Sequence, residues 1–384
     1  MGNDNSKKEE KEKKNEENKT EFTLSNSVIM DIIIFYNYEN KYESINERKI
    51  KNINKNYIFI VCGLINGFIE IYNILKDKLK LTLSFKAHRD IISKIIQLRD
   101  NGYLLTGSYD NSLKIFKLSN NCNTETLIYN FNLNIIFIRV NDMIEMSYNS
   151  NIIISSMNYI INFPIKKNNL LENKNNLSDY NITKIEHQKK YLTKLLEINN
   201  DSFIGVDDTE NKILCFKLNY LGDISEDIVL IKTIDIYLSN LGCEHLMDDY
   251  INNFSRKICI ECLLPKYNCL ILSDGFYIKV IDIKYLEIVS IFQINEKRDS
   301  FVMYYDIKID KIFIFDKNGI YKYKINNDNF SFELEKENEK IVNINNVINL
   351  NEVQKIIFSP QDQNKAFVFY KKILMTIDVN NFEK

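Results

Sequence analysis

From Phe22 onward, short runs of Ile, Phe, Tyr, Val and Leu alternate with polar segments rich in Asn and Asp. Runs of that length, bounded by turn-forming residues, predict β-strands. No apolar stripe recurs at helical spacing long enough to predict a major helix. The first twenty residues differ: no apolar side chain lies between Gly2 and Thr20, so residues 1–20 predict a disordered charged tail. The clearest unit spans Thr82 to Leu118, with strands predicted at about 80–85, 91–98, 103–107 and 112–118. Asn101-Gly102 supplies a turn after the second strand and Asp110-Asn111 another after the third.

Within this unit, Ala87-His88 opens a segment that passes through Gly107-Ser108-Tyr109-Asp110-Asn111 and ends at Phe116-Lys117. The arrangement resembles the WD40 repeat. The resemblance implies a structural hydrogen-bond network of His88, Thr106 or Ser108, and Asp110. Phe116 stands where the family has tryptophan and cannot supply its indole N–H. Weaker copies follow the same order: Gly63–Asn73, Ser155–Phe163, Gly205–Lys217, Ser273–Asp282, Asp316–Lys324 and Val353–Asp378. The resemblance therefore implies an all-β, seven-bladed WD40-like β-propeller over residues 21–380. Strand-like material at 235–255 and 325–350 leaves eight blades open. A strand at residues 21–26 is expected to complete the last blade.

Composition narrows the function classes. The chain has 384 residues, of which 50 are basic and 52 acidic, for a net charge of −2. That balance supplies no broad positive field for nucleic acid. Ten glycines and three prolines are few for so many turns, and Asn takes over the role because it tolerates left-handed backbone. The abundance of Asn, Lys, Ile and Tyr matches the bias of an AT-rich genome. No apolar run is long enough for a transmembrane helix; Val28–Phe35 is short and interrupted by Asp31. Seven scattered cysteines suit a reducing cytoplasm rather than a disulfide framework.

Candidate chemistry is sparse. The three histidines are His88, His187 and His245, and none sits in a nucleophile, metal or phosphate motif. Cys243, Cys259, Cys262 and Cys269 cluster near His245, but Cys259 and Cys262 lie within one strand-like run without a turn to present both to a zinc ion. No catalytic residue, metal site or cofactor is therefore expected. Met1-Gly2-Asn3-Asp4-Asn5-Ser6 fits the N-myristoylation pattern, with Gly2 as acceptor. One acyl chain would give reversible membrane association.

These readings combine into an expectation of a non-catalytic scaffold or adaptor that binds other proteins in the cytoplasm. Its alternative is a myristoylated adaptor peripheral to a membrane. Arg89, Lys189, Arg256 and Arg298 are the candidate contact residues on loops entering the repeats. No enzymatic activity is expected.

Overall fold

The computed structural model describes residues 19–378 apart from 37–57, 164–182, 236–258, 294–301, 337–352 and short intervals between strands. Gly2, His187, Lys189, His245, Arg256 and Arg298 lie outside the described residues. The 28 described strands form seven antiparallel sheets of four, each open at both edges.

β1 (Lys19–Thr23) comes first in the chain but belongs to the last sheet. The first sheet is β2 (Ile29–Tyr36), β3 (Ile58–Leu64), β4 (Phe68–Leu75) and β5 (Lys78–Lys86). The second is β6 (Ile92–Gln97), β7 (Leu104–Ser108), β8 (Ser112–Leu118) and β9 (Glu125–Asn132). β10 (Asp142–Glu145), β11 (Ile152–Ser155), β12 (Tyr159–Phe163) and β13 (Thr183–Glu186) make the third. The fourth holds β14 (Leu192–Asn199), β15 (Ser202–Asp207), β16 (Lys212–Leu221) and β17 (Ile224–Asp235). In the fifth are β18 (Cys259–Leu264), β19 (Cys269–Ser273), β20 (Tyr277–Asp282) and β21 (Glu287–Gln293). The sixth contains β22 (Val302–Asp306), β23 (Lys311–Asp316), β24 (Gly319–Asp328) and β25 (Ser331–Lys336). β26 (Val353–Phe358), β27 (Lys365–Tyr370) and β28 (Ile373–Asp378) form the last, where β1 pairs with β28 from Lys19↔Ile377 to Thr23↔Ile373. Among the described residues, the strands that reach 235 and 325–336 belong to the fourth and sixth sheets, and no eighth sheet is present.

The first strand of each sheet meets the first strand of the next, from β2 and β6 through β22 and β26. Ile29 and Ile32 of the first sheet share a buried cluster with Phe367 and Phe369 of the last. The core is therefore not one central mass but a series of layers between neighbouring sheets. Leu105, Leu113 and Ile115 of the second sheet, for example, pack on Ile152, Ile154 and Phe163 of the third. Alternation within each strand feeds both layers, which is why these strands read as apolar on both faces.

Pairing slips repeatedly at equivalent places. In the first strands it slips at Ile29/Asp31, Ile92/Lys94, Leu192/Lys194, Ile260/Cys262 and Val353/Lys355. On the last-strand side it slips opposite Ile71/Tyr72, Ile115/Phe116, Cys215/Phe216 and Val280/Ile281. Each slip is a bulge or irregularity that locally disrupts the ladder, and bulges increase the twist of the strand.

Two glycines set the spacing between sheets. A Cβ on Gly63 would stand 2.7 Å from Ile92 Cγ2 of the second sheet. On Gly107 it would stand 2.6 Å from Val140 Cγ1, just ahead of β10. A side chain at either position would push the following sheet outward. We expect Gly107→Val to destabilise the fold by about 1–3 kcal/mol, the usual cost of overpacking. Chemical denaturation would check this, and an unchanged midpoint would contradict the packing account.

Candidate functional site

The first strands touch one another but do not share backbone hydrogen bonds, because each lies in a separate sheet. Their outward N–H groups need other acceptors. Asp31 on β2 supplies one: its Oδ2 accepts the Ile95 N–H of β6 at 2.9 Å. Asp142 on β10 does the same for the Leu195 N–H of β14 at 2.7 Å. Lys94 on β6 lies between these acids, with its ammonium 2.8 Å from Asp142. Lys194 follows on β14 and is exposed. Acid, base, acid and base thus stand on four consecutive first strands, near their starts.

Burial opposes the charge on Lys94, but the neighbouring Asp142 and Asp31 carboxylates outweigh it and hold the ammonium above the ordinary lysine pKa. Its side chain is still 26% exposed, whereas that of Asp142 is 4% exposed. The ammonium is therefore held charged beside the Asp142 carboxylate. It cannot serve as a base near neutral pH, but it can stabilise negative charge developing beside it.

A second set of links ties the other ends of the same strands. Gln97 accepts the Tyr36 N–H at 3.0 Å and donates to the Tyr36 carbonyl at 2.6 Å. Glu145 accepts the Arg99 N–H at 2.8 Å. Glu197 accepts from both the N–H and the hydroxyl of Ser147, and its other oxygen lies 3.2 Å from the Arg99 guanidinium. Arg99 follows β6 and Glu197 is on β14, so this pair spans the intervening β10.

The residues singled out from the sequence fall elsewhere. His88 is 1% exposed on the loop between β5 and β6. Its Nδ1 lies 3.1 Å from Asp110 Oδ2 and 3.0 Å from Ser112 Oγ, while Nε2 lies 2.8 Å from Thr106 Oγ1. A neutral ring donating from Nδ1 and accepting at Nε2 satisfies this geometry. Ser108 does not join the imidazole; its hydroxyl meets the Asp90 carbonyl and the Asp110 N–H. Phe116 packs edge-on against Phe85, with ring centroids 5.1 Å apart. Gly67, at φ +77°, brings its carbonyl to the Ala87 and His88 N–H groups and so anchors the loop to the first sheet. This cluster is a buried support that braces the loop before β6.

Burial pushes the His88 pKa down, more than Asp110 raises it. Burial acts against the Asp110 charge too, yet hydrogen bonds from His88, Ser112 and the Arg89 N–H hold its carboxyl well below the usual range. Cys122 and Cys215 are buried and pushed up to about 12, and Cys269 up to about 11. None supplies a thiolate near neutral pH. No group of three or more potential metal ligands occurs among the described residues. Nor is any described helix long and apolar enough to cross a membrane.

The row of Asp31, Lys94, Asp142 and Lys194 was missed in the sequence. Its signal is a charged residue two positions after the apolar residue that opens a first strand, as in Ile29-x-Asp31, Ile92-x-Lys94 and Leu192-x-Lys194.

No family model matches this chain, and no curated protein sequence matches it. Among the solved structures it matches is a "putative 6-phosphogluconolactonase" from Bacteroides fragilis. The two are 11% identical with a TM-score of 0.51, over 73% of this chain and 80% of the other. That likeness concerns the fold alone, and it corrects the family expectation. The chain is an all-β assembly of small open sheets with a likeness to that lactonase, in place of a WD40-like propeller of seven or eight blades. The physical reason lies in the residues. The His88–Thr106–Asp110 set that suggested a WD repeat is built in the second sheet, and Phe116 there contributes apolar packing. Different groups, the Asp31 and Asp142 carboxylates, join one sheet to the next. The expectation of a purely non-catalytic scaffold or adaptor, acylated or not, and of no enzymatic activity, rested on the WD40 resemblance and is withdrawn with it, the matched structure being described as a putative 6-phosphogluconolactonase.

Two outcomes follow for the residues described. Removing Asp142 strands both the Lys94 ammonium and the Leu195 N–H, so Asp142→Ala should cost about 2–4 kcal/mol in denaturant unfolding; a loss under about 0.5 kcal/mol, as at ordinary surface sites, would contradict this role. The lowered pKa values of His88 and Asp110 mean that the unfolded chain takes up protons first as pH falls. Their contribution is present above the unfolded pKa values and is lost on acidification, first from below about 6.5 for histidine and then below about 4 for aspartate. Thermal midpoints should fall from pH 7 to pH 5, and His88→Gln should flatten that slope. A slope unchanged by the substitution would contradict the assignment.

Proposed function

We propose that the chain is a hydrolase acting on a small, oxygen-rich cyclic ester at the starts of β2, β6, β10 and β14. The observation that carries this reading is the row of Asp31, Lys94, Asp142 and Lys194 on four consecutive first strands, with the Lys94 ammonium 2.8 Å from Asp142. The fold's likeness to a lactonase supports the choice of ester. Water adds to the carbonyl carbon, giving a tetrahedral oxyanion beside the ammonium. The ring C–O bond then breaks, and the proton released by the water ends on the departing alkoxide through solvent. The products are the carboxylic acid and hydroxyl of one open chain. Lys94 and the exposed Lys194 favour this route by stabilising the oxyanion and the incoming oxygen-rich substrate. The carboxylates of Asp31 and Asp142 fix the backbone and Lys94 rather than attacking the ester.

The test is proton release by the full chain with glucono-δ-lactone and with its 6-phosphate. Hydrolysis should exceed the buffer rate at least tenfold on one of the two. Lys94→Met and Lys194→Ala should each lower it at least tenfold. Lys194 is exposed, so its variant is expected to retain the wild-type thermal midpoint. No acceleration of either lactone, or full activity in the folded Lys194→Ala protein, would overturn the proposal.

A further inference from the structure

We infer that Arg89, Tyr109 and Arg139 form a docking patch for an acidic segment of a partner protein. The three come from different parts of the chain: the loop before β6, the turn between β7 and β8, and the segment leading into β10. The Arg139 guanidinium lies over the Tyr109 ring, 5.6 Å from its centroid. A guanidinium over an aromatic face gains cation–π attraction and keeps its N–H groups available to a carboxylate. Both arginines are exposed, and among the described residues neither guanidinium has a carboxylate partner. Lys94, Arg99, Lys217 and Lys232, by contrast, each meet an acid.

The backbone under the patch is held in place. The Arg89 N–H donates to Asp110 Oδ2 at 2.9 Å, and the Tyr109 N–H donates to the Ile91 carbonyl at 2.9 Å. Val140, next to Arg139, is fully buried against the bare face of Gly107. Two charged forks are thus presented by anchored loops, so little ordering is needed on binding. The nearby acids do not fill the site: Asp110 is engaged by His88 and Ser112, and Asp90 accepts the N–H of Ile91. Exposed guanidiniums on loops suit carboxylates projecting from a protein segment. The patch is separate from the Lys94–Asp142 row, and its arginines take no part in the proposed hydrolysis.

The experiment is fluorescence anisotropy of the full chain with a fluorescein-labelled deca-glutamate peptide. Binding should weaken as salt rises. Arg139→Ala and Arg89→Ala should each raise the dissociation constant at least threefold, and the double variant at least tenfold. Arg139→Lys should fall between wild type and Arg139→Ala, because it keeps the charge and loses the fork. Absence of peptide binding, or equal binding by the folded double variant, would overturn the inference. So would arginine-dependent binding to phosphatidylserine vesicles without peptide binding, which would assign the patch to a membrane surface. Lactone hydrolysis measured in parallel should be unchanged in the double variant, so failure of one proposal is distinguishable from failure of the other.

Discussion

A strand that begins a sheet has one edge paired and one edge bare, and here that bare edge faces the neighbouring sheet. The structure depends on closing this edge without merging the sheets. Side chains do it: Asp31 reaches the Ile95 N–H, Asp142 the Leu195 N–H, and Gln97 both backbone groups of Tyr36. A buried N–H left without an acceptor costs about 1–3 kcal/mol, so these links matter more than ordinary surface contacts. They also dictate the charges. A carboxylate that accepts a backbone N–H brings an acid into the seam between sheets, and the Lys94 ammonium stands 2.8 Å from Asp142 there. The candidate site is thus a by-product of how the sheets are joined.

Packing and polarity cooperate in that arrangement. Gly63 and Gly107 let the following sheet approach closely, and the bulges at Asp31, Lys94 and Lys194 place the charged residue where the first strand enters. A bulge therefore serves two ends: it disrupts the ladder locally and aims a side chain across the edge. The His88 cluster applies the same principle locally. It ties the loop before β6 to the turn after β7, and by fixing Asp110 it also fixes the Arg89 backbone.

Much of the architecture was legible in the residues. The strands predicted between Thr82 and Leu118 match β5 to β8 to within two residues at most ends, because apolar alternation and turn chemistry there agree. The turn residues behave as their types require: Asn111 lies at φ 63° and Gly102 at φ 68°. β1 begins at Lys19, inside the segment read as tail, because pairing with β28 orders polar residues that have little to bury. The family was misread for a physical reason: a histidine, a threonine and an aspartate can brace one loop in any sheet with that turn geometry. The inner charges were overlooked because each sits singly within an apolar strand, tens of residues from the next. Asp31 read only as an interruption of Val28–Phe35, yet it holds the first sheet to the second.

The chemistry proposed at Lys94 rests on that joinery, so the joinery is the claim to test. Native-state hydrogen exchange at the Ile95 and Leu195 amides, compared between the wild-type chain and Asp31→Ala, tests it most directly. The account predicts strong protection of both amides in the wild type, with loss of protection at Ile95 and retention at Leu195 in the variant. Rapid exchange of both amides in the wild type, or no selective change at Ile95, would contradict it.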